Sequence, residues 1–140
     1  KDDLVARAVE TITTEGMDAW TEAHLDLERP TRDDLERYLR FVFVNTIEYQ
    51  ALAKTRVTNL LGGAEINAAQ MKVYETLDRL LSGLRPELPD ATRRTRVHFL
   101  YSAALSAACS LRETHAYLGT DLTDGEALEA YVARLVDEVT

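Results

Sequence analysis

The sequence feature that most constrains this fold is a run without Asp, Glu, Lys or Arg, from Val97 to Leu111. It lies within the segment Asp90–Leu118, which contains neither Gly nor Pro and therefore predicts one long helix. On a helix, the run presents apolar or small side chains on nearly every side, so it has to be covered on more than one side. The core of the chain itself can cover one side, and a second subunit can cover another.

The first half of the chain also has helical spacing. An apolar stripe near its start predicts a helix that either ends at Gly16 or runs on to about Glu28. The segment Thr31–Asp34 resembles a capping box and predicts the start of the next helix. Residues 40–45 alternate like a strand, but no partner strand is predicted, so we interpret them as a kink or break between two helices. The second of these helices is expected to close at the glycine pair 62–63.

The second half of the chain also has helical spacing, and the ends of its helices are more clearly marked. The stripe over residues 66–84 predicts an amphipathic helix, which is followed by two prolines. Asp90 is expected to cap the N-terminus of the uncharged helix. Thr123 and Glu126 form a capping box before the last helix. Because no repeat or domain boundary is found, the sequence predicts one all-α domain of about six helices over residues 1–140.

Composition restricts the class of protein. Hydrophobic residues make up 46% of the chain and charged residues 29%, as in a soluble globular protein. The net charge of -8 argues against nucleic-acid binding by these residues alone, because phosphate contacts need clustered Lys and Arg. The one basic cluster, Arg93, Arg94 and Arg96, points in three directions on a helix, so we expect it to be solvated or paired with acids. The single cysteine, Cys109, excludes an intrachain disulfide and suits a reducing compartment.

Targeting signals are also absent from the sequence pattern. No window reaches the length of a membrane span, and no signal peptide is found. We therefore expect a cytoplasmic protein without a membrane partner. The chain begins at Lys1 without a Met, so we expect it to be a fragment or a processed chain.

The histidines give little indication of catalysis or metal binding. None of His24, His98 and His115 has the spacing to an acidic residue that helical di-metal sites or His-Glu-x-x-His motifs require. We therefore expect no metal, no cofactor and no enzymatic activity. One alternative stays open, because the spacing of Arg93 and His98 resembles the active-site motif of HEPN ribonucleases, which are also small helical dimers.

The aromatic residues suggest a small-molecule pocket. They are spread over five predicted helical segments, and several of them have to converge inside a six-helix domain. Ordinary core packing is one interpretation, and an apolar pocket with polar handles is the other. The acidic balance favours a neutral or cationic apolar ligand over a nucleotide or an acyl phosphate. The expected lining residues are Trp20, His24, Phe41, Tyr49, Tyr74, Phe99 and Ala103.

Together these features resemble the C-terminal ligand-binding and dimerisation domain of TetR-family transcriptional regulators. The opening residues Lys1–Leu4 are similar to the Lys-acid-acid-Leu that follows the helix-turn-helix of that family. The segments Asp90–Leu118 and Thr123–Thr140 resemble the family's dimerising helix pair. The resemblance implies a repressor domain that binds a small apolar effector and forms a homodimer. It also implies that DNA is contacted only through a helix-turn-helix that these residues do not contain.

The small side chains of the uncharged run favour close packing of helices, so we predict a two-fold dimer through this helix and the last one. The expected interface residues are Ala104, Ala108, Leu111, His115, Leu128, Tyr131, Val132 and Leu135. A helical enzyme of the HEPN type is the alternative to this regulatory domain, and a pure interaction scaffold is the third possibility.

Overall fold

The computed structural model describes residues 2–48 and 68–140, and these residues form a single all-helical domain. The predicted fold class is therefore confirmed. The described residues contain six helices and no strand. The helices are α1 (Asp2–His24), α2 (Arg32–Glu48), α3 (Ala68–Leu84), α4 (Asp90–Cys109), α5 (Leu111–Leu118) and α6 (Gly125–Val139).

The core of the domain lies around α2 and α4. Helix α2 packs against α3, α4 and α6, and α4 also packs against α3 and α6, while α1 lies on α3. The largest side chains that are fully buried come mainly from α2 and α3, and include Tyr38, Phe43, Leu77 and Leu81. Burial of this much apolar surface is the main force that holds the helices together.

The capping box that the sequence predicts before α2 is confirmed. The backbone amide of Asp34 donates to Thr31 Oγ1 at 3.3 Å, and the amide of Thr31 donates back to Asp34 Oδ2 at 2.8 Å. The other carboxylate oxygen of Asp34 accepts from the amide of Asp26 at 3.4 Å. Asp34 is buried, so its carboxylate both starts α2 and ties the preceding turn to it.

Two other predictions about helix starts are wrong. Asp90 is the first residue of α4, the capping position belongs to Pro89, and the Asp90 carboxylate pairs with Arg93 instead. Helix α6 is capped by Asp124, which accepts from the amide of Ala127 at 3.1 Å, and not by Thr123. The Thr123 hydroxyl is already engaged, because it donates to Asp121 at 2.7 Å.

Predicted helix lengths also need correction. Helix α1 runs through Gly16 and ends at His24, and α2 is continuous through 40–45, so neither the break nor the strand exists there. The long helix predicted for Asp90–Leu118 is divided at Ser110, where the backbone has φ -129° and ψ 51°. Helix α5 ends just before Gly119, which has a left-handed φ of 69°. The glycine pair 62–63 lies outside the described residues.

Candidate functional site

One group of predicted site residues forms an aromatic stack between α1 and α2. The ring of Trp20 lies parallel to the ring of Phe41 at 4.1 Å on one side and to the ring of His24 at 4.5 Å on the other. The imidazole is held there by a hydrogen bond of 2.8 Å between Nδ1 and the carbonyl oxygen of Trp20. Trp20 and Phe41 border an open groove that also contains Val44 and Leu128. The stack therefore presents an apolar surface on the outside of the domain.

A second group lies around Tyr74, at the edge of the core where α3 packs against α4. Its ring meets the ring of Tyr101 edge to face at 4.9 Å, and its hydroxyl is 3.2 Å from His98 Nδ1. Burial raises the pKa of the Tyr74 phenol above its ordinary value. Tyr74 thus stays neutral over the physiological pH range, with His98 as the partner of its hydroxyl.

Tyr74 also lines a cleft of about 440 Å³ between α3 and α4. The cleft is lined by Met71, Tyr74, Glu75, Asp78, Arg94 and Val97. The thioether, the phenol ring and the valine give it an apolar wall, and the charged groups supply polar contacts. A cleft of this size, with an apolar wall and few polar groups, has the dimensions of a small-molecule site. We call it the α3–α4 cleft.

The predicted lining residues do not form one pocket among the described residues. Trp20, His24 and Phe41 meet at the α1–α2 stack, whereas Tyr74 lines the α3–α4 cleft. Phe99 is 45% exposed, and Ala103 is half-buried on the same helix. Tyr49 lies outside the described residues. Ligand binding by these residues stays a prediction.

Sequence reasoning missed most of the α3–α4 cleft. Four of its residues, Met71, Tyr74, Glu75 and Asp78, follow the helical spacing of three and four positions and so share one face of α3. Arg94 and Val97 are three positions apart on α4. The spacing within each helix was a usable signal, but the pairing of the two faces was not visible in the sequence.

The predicted interface residues fall into two classes. Ala104, Ala108, Leu128 and Val132 are buried in the core of the single chain, where they contribute to packing between its own helices. Leu111, Tyr131 and Leu135 are half-buried, and His115 is exposed. The dimer itself stays a prediction.

Two of the three arginines in the basic cluster have hydrogen-bond partners, and one of them pairs with acids. Arg93 forms ion pairs of 2.8 Å with both Asp78 and Asp90, and Arg96 donates to the carbonyl oxygen of Val139 at 2.7 Å. Hydrogen bonds to the two carboxylates raise the pKa of the Arg93 guanidinium. The ribonuclease alternative requires Arg93 to contact a phosphate, and a guanidinium held by two carboxylates is poorly placed for that role.

Neither a metal site nor a membrane span is found in the described parts of the chain. Within residues 2–48 and 68–140, no three His, Cys, Asp or Glu side chains are grouped so that they would hold a metal ion. None of the helices in these ranges has the combined length and apolarity needed to cross a membrane.

Comparison with family models, with curated proteins and with solved structures gives no match for this chain. Its function has to be argued from its own residues.

Proposed function

We propose that this domain is the regulatory part of a transcriptional repressor, in which a small apolar effector binds the α3–α4 cleft and two copies of the chain pair. The observation that carries the proposal is the cleft itself, with its volume of about 440 Å³ and its wall of Met71, Tyr74 and Val97. Burial of an apolar ligand against this wall is favourable. The hydrogen-bonded pair of Tyr74 and His98 supplies polar groups beside this wall.

The charges around the cleft support a neutral or cationic effector. Two carboxylates, Glu75 and Asp78, and one guanidinium, Arg94, lie at its edge. Asp78 is also engaged by Arg93, which leaves the Glu75 carboxylate and the Arg94 guanidinium to contact a ligand. A strongly anionic ligand is disfavoured, because the carboxylates of the cleft and the net charge of -8 on the whole chain repel it.

Exposed apolar groups on α5 and on α4 support pairing with a second copy. None of the side chains of α5 is buried. Tyr117 is 89% exposed and Leu118 40%, and Phe99 on α4 is 45% exposed. Covering these side chains in a dimer removes apolar surface from water. In this proposal DNA is contacted by a helix-turn-helix that belongs to a different part of the protein, as the resemblance to TetR-family regulators implies.

A substitution in the cleft tests effector binding. Met71 is 41% exposed, so Met71→Asp is expected to leave the fold intact while placing a carboxylate on the apolar wall. Binding of a neutral phenyl-naphthylamine dye, followed by its fluorescence, is expected to weaken at least about tenfold. Val44→Asp on α2 is the matched control, because Val44 is 43% exposed and lies outside the cleft. Equal dye binding by the two variants and the unaltered protein would contradict the proposal.

A second substitution tests pairing. Light scattering is expected to show a dimer at micromolar concentration, and Leu118→Glu is expected to shift it toward monomer because a charge replaces an apolar contact. Leu4→Glu is the control, since Leu4 is 77% exposed on α1. This part of the proposal would be contradicted if the unaltered protein is a monomer, or if it is a dimer that Leu118→Glu leaves unchanged.

A further inference from the structure

A second cleft, more polar than the first, lies between α1 and α3. Its volume is about 510 Å³, and we call it the α1–α3 cleft. Its lining comes from α1, from the turn that follows it and from α3, and consists of Asp18, Thr21, Glu22, Leu27, Lys72, Glu75, Thr76 and Arg79. Five of these eight residues carry a charge and two carry a hydroxyl, which is the opposite of the apolar wall in the α3–α4 cleft.

In the part of the chain that the structure describes, the two threonines of this cleft make no side-chain hydrogen bond within their own helices. A helical Thr without a better partner donates to the carbonyl four residues earlier, as Thr46 does to Val42 at 2.7 Å and Thr95 to Ala91 at 2.9 Å. Among the described residues, Thr21 and Thr76 make no bond of this kind. Each is only 8% exposed, and the exposed part faces the cleft.

Behind Thr76 lies a buried phenol. Tyr38 is 0% exposed, and its hydroxyl makes no hydrogen bond of ordinary geometry with the rest of the described chain. Burial raises the pKa of this phenol, and the neighbouring Thr76 side chain lowers it in part. Thr76 therefore stands between an unsatisfied buried hydroxyl and the cleft. A buried polar group without a partner is costly, and a ligand at the cleft can supply a hydrogen-bond partner to the Thr76 hydroxyl.

The charges of the cleft favour one positive charge on that ligand. Asp18 and Lys72 already form an ion pair of 2.9 Å. The remaining charges are the carboxylates of Glu22 and Glu75 and the guanidinium of Arg79. Three acids against two bases leave one net negative charge, which a single ammonium group neutralises.

We propose that the α1–α3 cleft binds a small cation that carries several hydroxyl groups, which is the chemistry of an amino sugar. The ammonium group contacts the carboxylates of Glu22 and Glu75, and the hydroxyls exchange hydrogen bonds with Thr21 and Thr76. Leu27 contacts the carbon face of the ligand. This site adjoins the effector cleft of the proposed function, and the two clefts share the Glu75 side chain.

Titration calorimetry of the full chain with three probes tests the proposal. Glucosamine has the ammonium and the hydroxyls, glucose has the hydroxyls alone, and cyclohexylamine has the ammonium alone. Glucosamine is expected to bind at least about tenfold more tightly than either of the others, because each lacks one set of contacts. Failure of glucosamine to bind at millimolar concentration, or equal binding of all three, would overturn the proposal.

Substitutions in the α1–α3 cleft test whether glucosamine binds there. Thr76→Val removes the hydroxyl with little change in shape, and is expected to weaken glucosamine binding at least about fivefold, while Thr76→Ser restores it. Thr95→Val is the matched control, because the Thr95 hydroxyl bonds only within α4. If Thr76→Val does not fold, Glu22→Gln at the exposed edge is expected to give a loss of similar size. Unchanged affinity in the folded variant refutes the assignment, and none of these substitutions alters the apolar wall to which the dye binds.

Discussion

The close approach of α3 to the turn before α2 predicts opposite effects for two substitutions of Gly by Ala. Gly83 lies against the ring of Pro30, and a Cβ added at Gly83 would be 2.7 Å from Pro30 Cδ and closer still to Cγ. Gly16 lies inside α1, and a Cβ added there meets nothing within 4 Å. Both glycines are helical, so the intrinsic preference for alanine is the same at the two positions.

The magnitudes follow from these surroundings. Replacing a helical Gly by Ala gains about 1 kcal/mol where space is free, so Gly16→Ala is expected to stabilise the protein by roughly that amount. At Gly83 the same gain is opposed by overpacking, which costs about 1–3 kcal/mol. The upper part of that range applies, because two atoms of a closed proline ring lie inside contact distance. Gly83→Ala is therefore expected to destabilise the protein by about 1–2 kcal/mol.

Urea denaturation followed by circular dichroism measures both effects. The midpoint is expected to rise for Gly16→Ala and to fall for Gly83→Ala, with the slope unchanged in each, so that the free energy of unfolding can be compared directly. Gly83→Ala with a stability equal to or above that of the unaltered protein would refute the contact between Gly83 and Pro30 as described.

Two further predictions concern single side chains. Burial raises the pKa of the Asp34 carboxyl, but hydrogen bonds from Thr31 and Asp26 outweigh it and leave the pKa below normal. Asp34→Ala is therefore expected to cost about 2 kcal/mol at neutral pH. The difference in the free energy of unfolding between Asp34→Ala and the unaltered protein should shrink below about pH 4 in urea titrations, as the folded-state carboxylate is protonated. A difference that does not change with pH would contradict this. Phe99→Ala is expected to cost about 1–2 kcal/mol by the same assay, against about 2–5 for Leu100→Ala, because Phe99 is 45% exposed and Leu100 is 0% exposed; equal costs would contradict the described burial.

The fold class and one capping box could be predicted because both depend on neighbouring residues. Helical spacing is repeated within each segment, and Thr31 and Asp34 are three positions apart, so their reciprocal hydrogen bonds require no distant partner. The break at Ser110 could not be predicted in this way, since no Gly or Pro marks it. There the serine hydroxyl donates to the carbonyl oxygen of Ser106 at 2.5 Å and the backbone leaves the helical region.

The two clefts could be predicted only in part. Each helix carries its own lining residues at helical spacing, as Met71, Tyr74 and Asp78 do on α3. Which helix faces them depends on contacts between distant segments, and Thr21 and Thr76 line one cleft only because α1 packs on α3. The exposure of Phe99 was missed for a related reason. Phe99 is predicted to line a pocket on the inner face of its helix, but burial is decided by which side of α4 the other helices cover.

The sparse packing of α5, in which the half-buried Leu111 contacts the core, has a consequence for local unfolding. This helix has eight residues, no buried side chain, a non-helical Ser110 at its start and a left-handed Gly119 at its end. A helix of that length is marginal in water unless other groups pack on it. Its amides are therefore expected to exchange with solvent through local opening, far faster than those of α2 or α4. Any partner that covers α5 has to slow that exchange, so hydrogen exchange at these eight residues reports association without a label or a mutation.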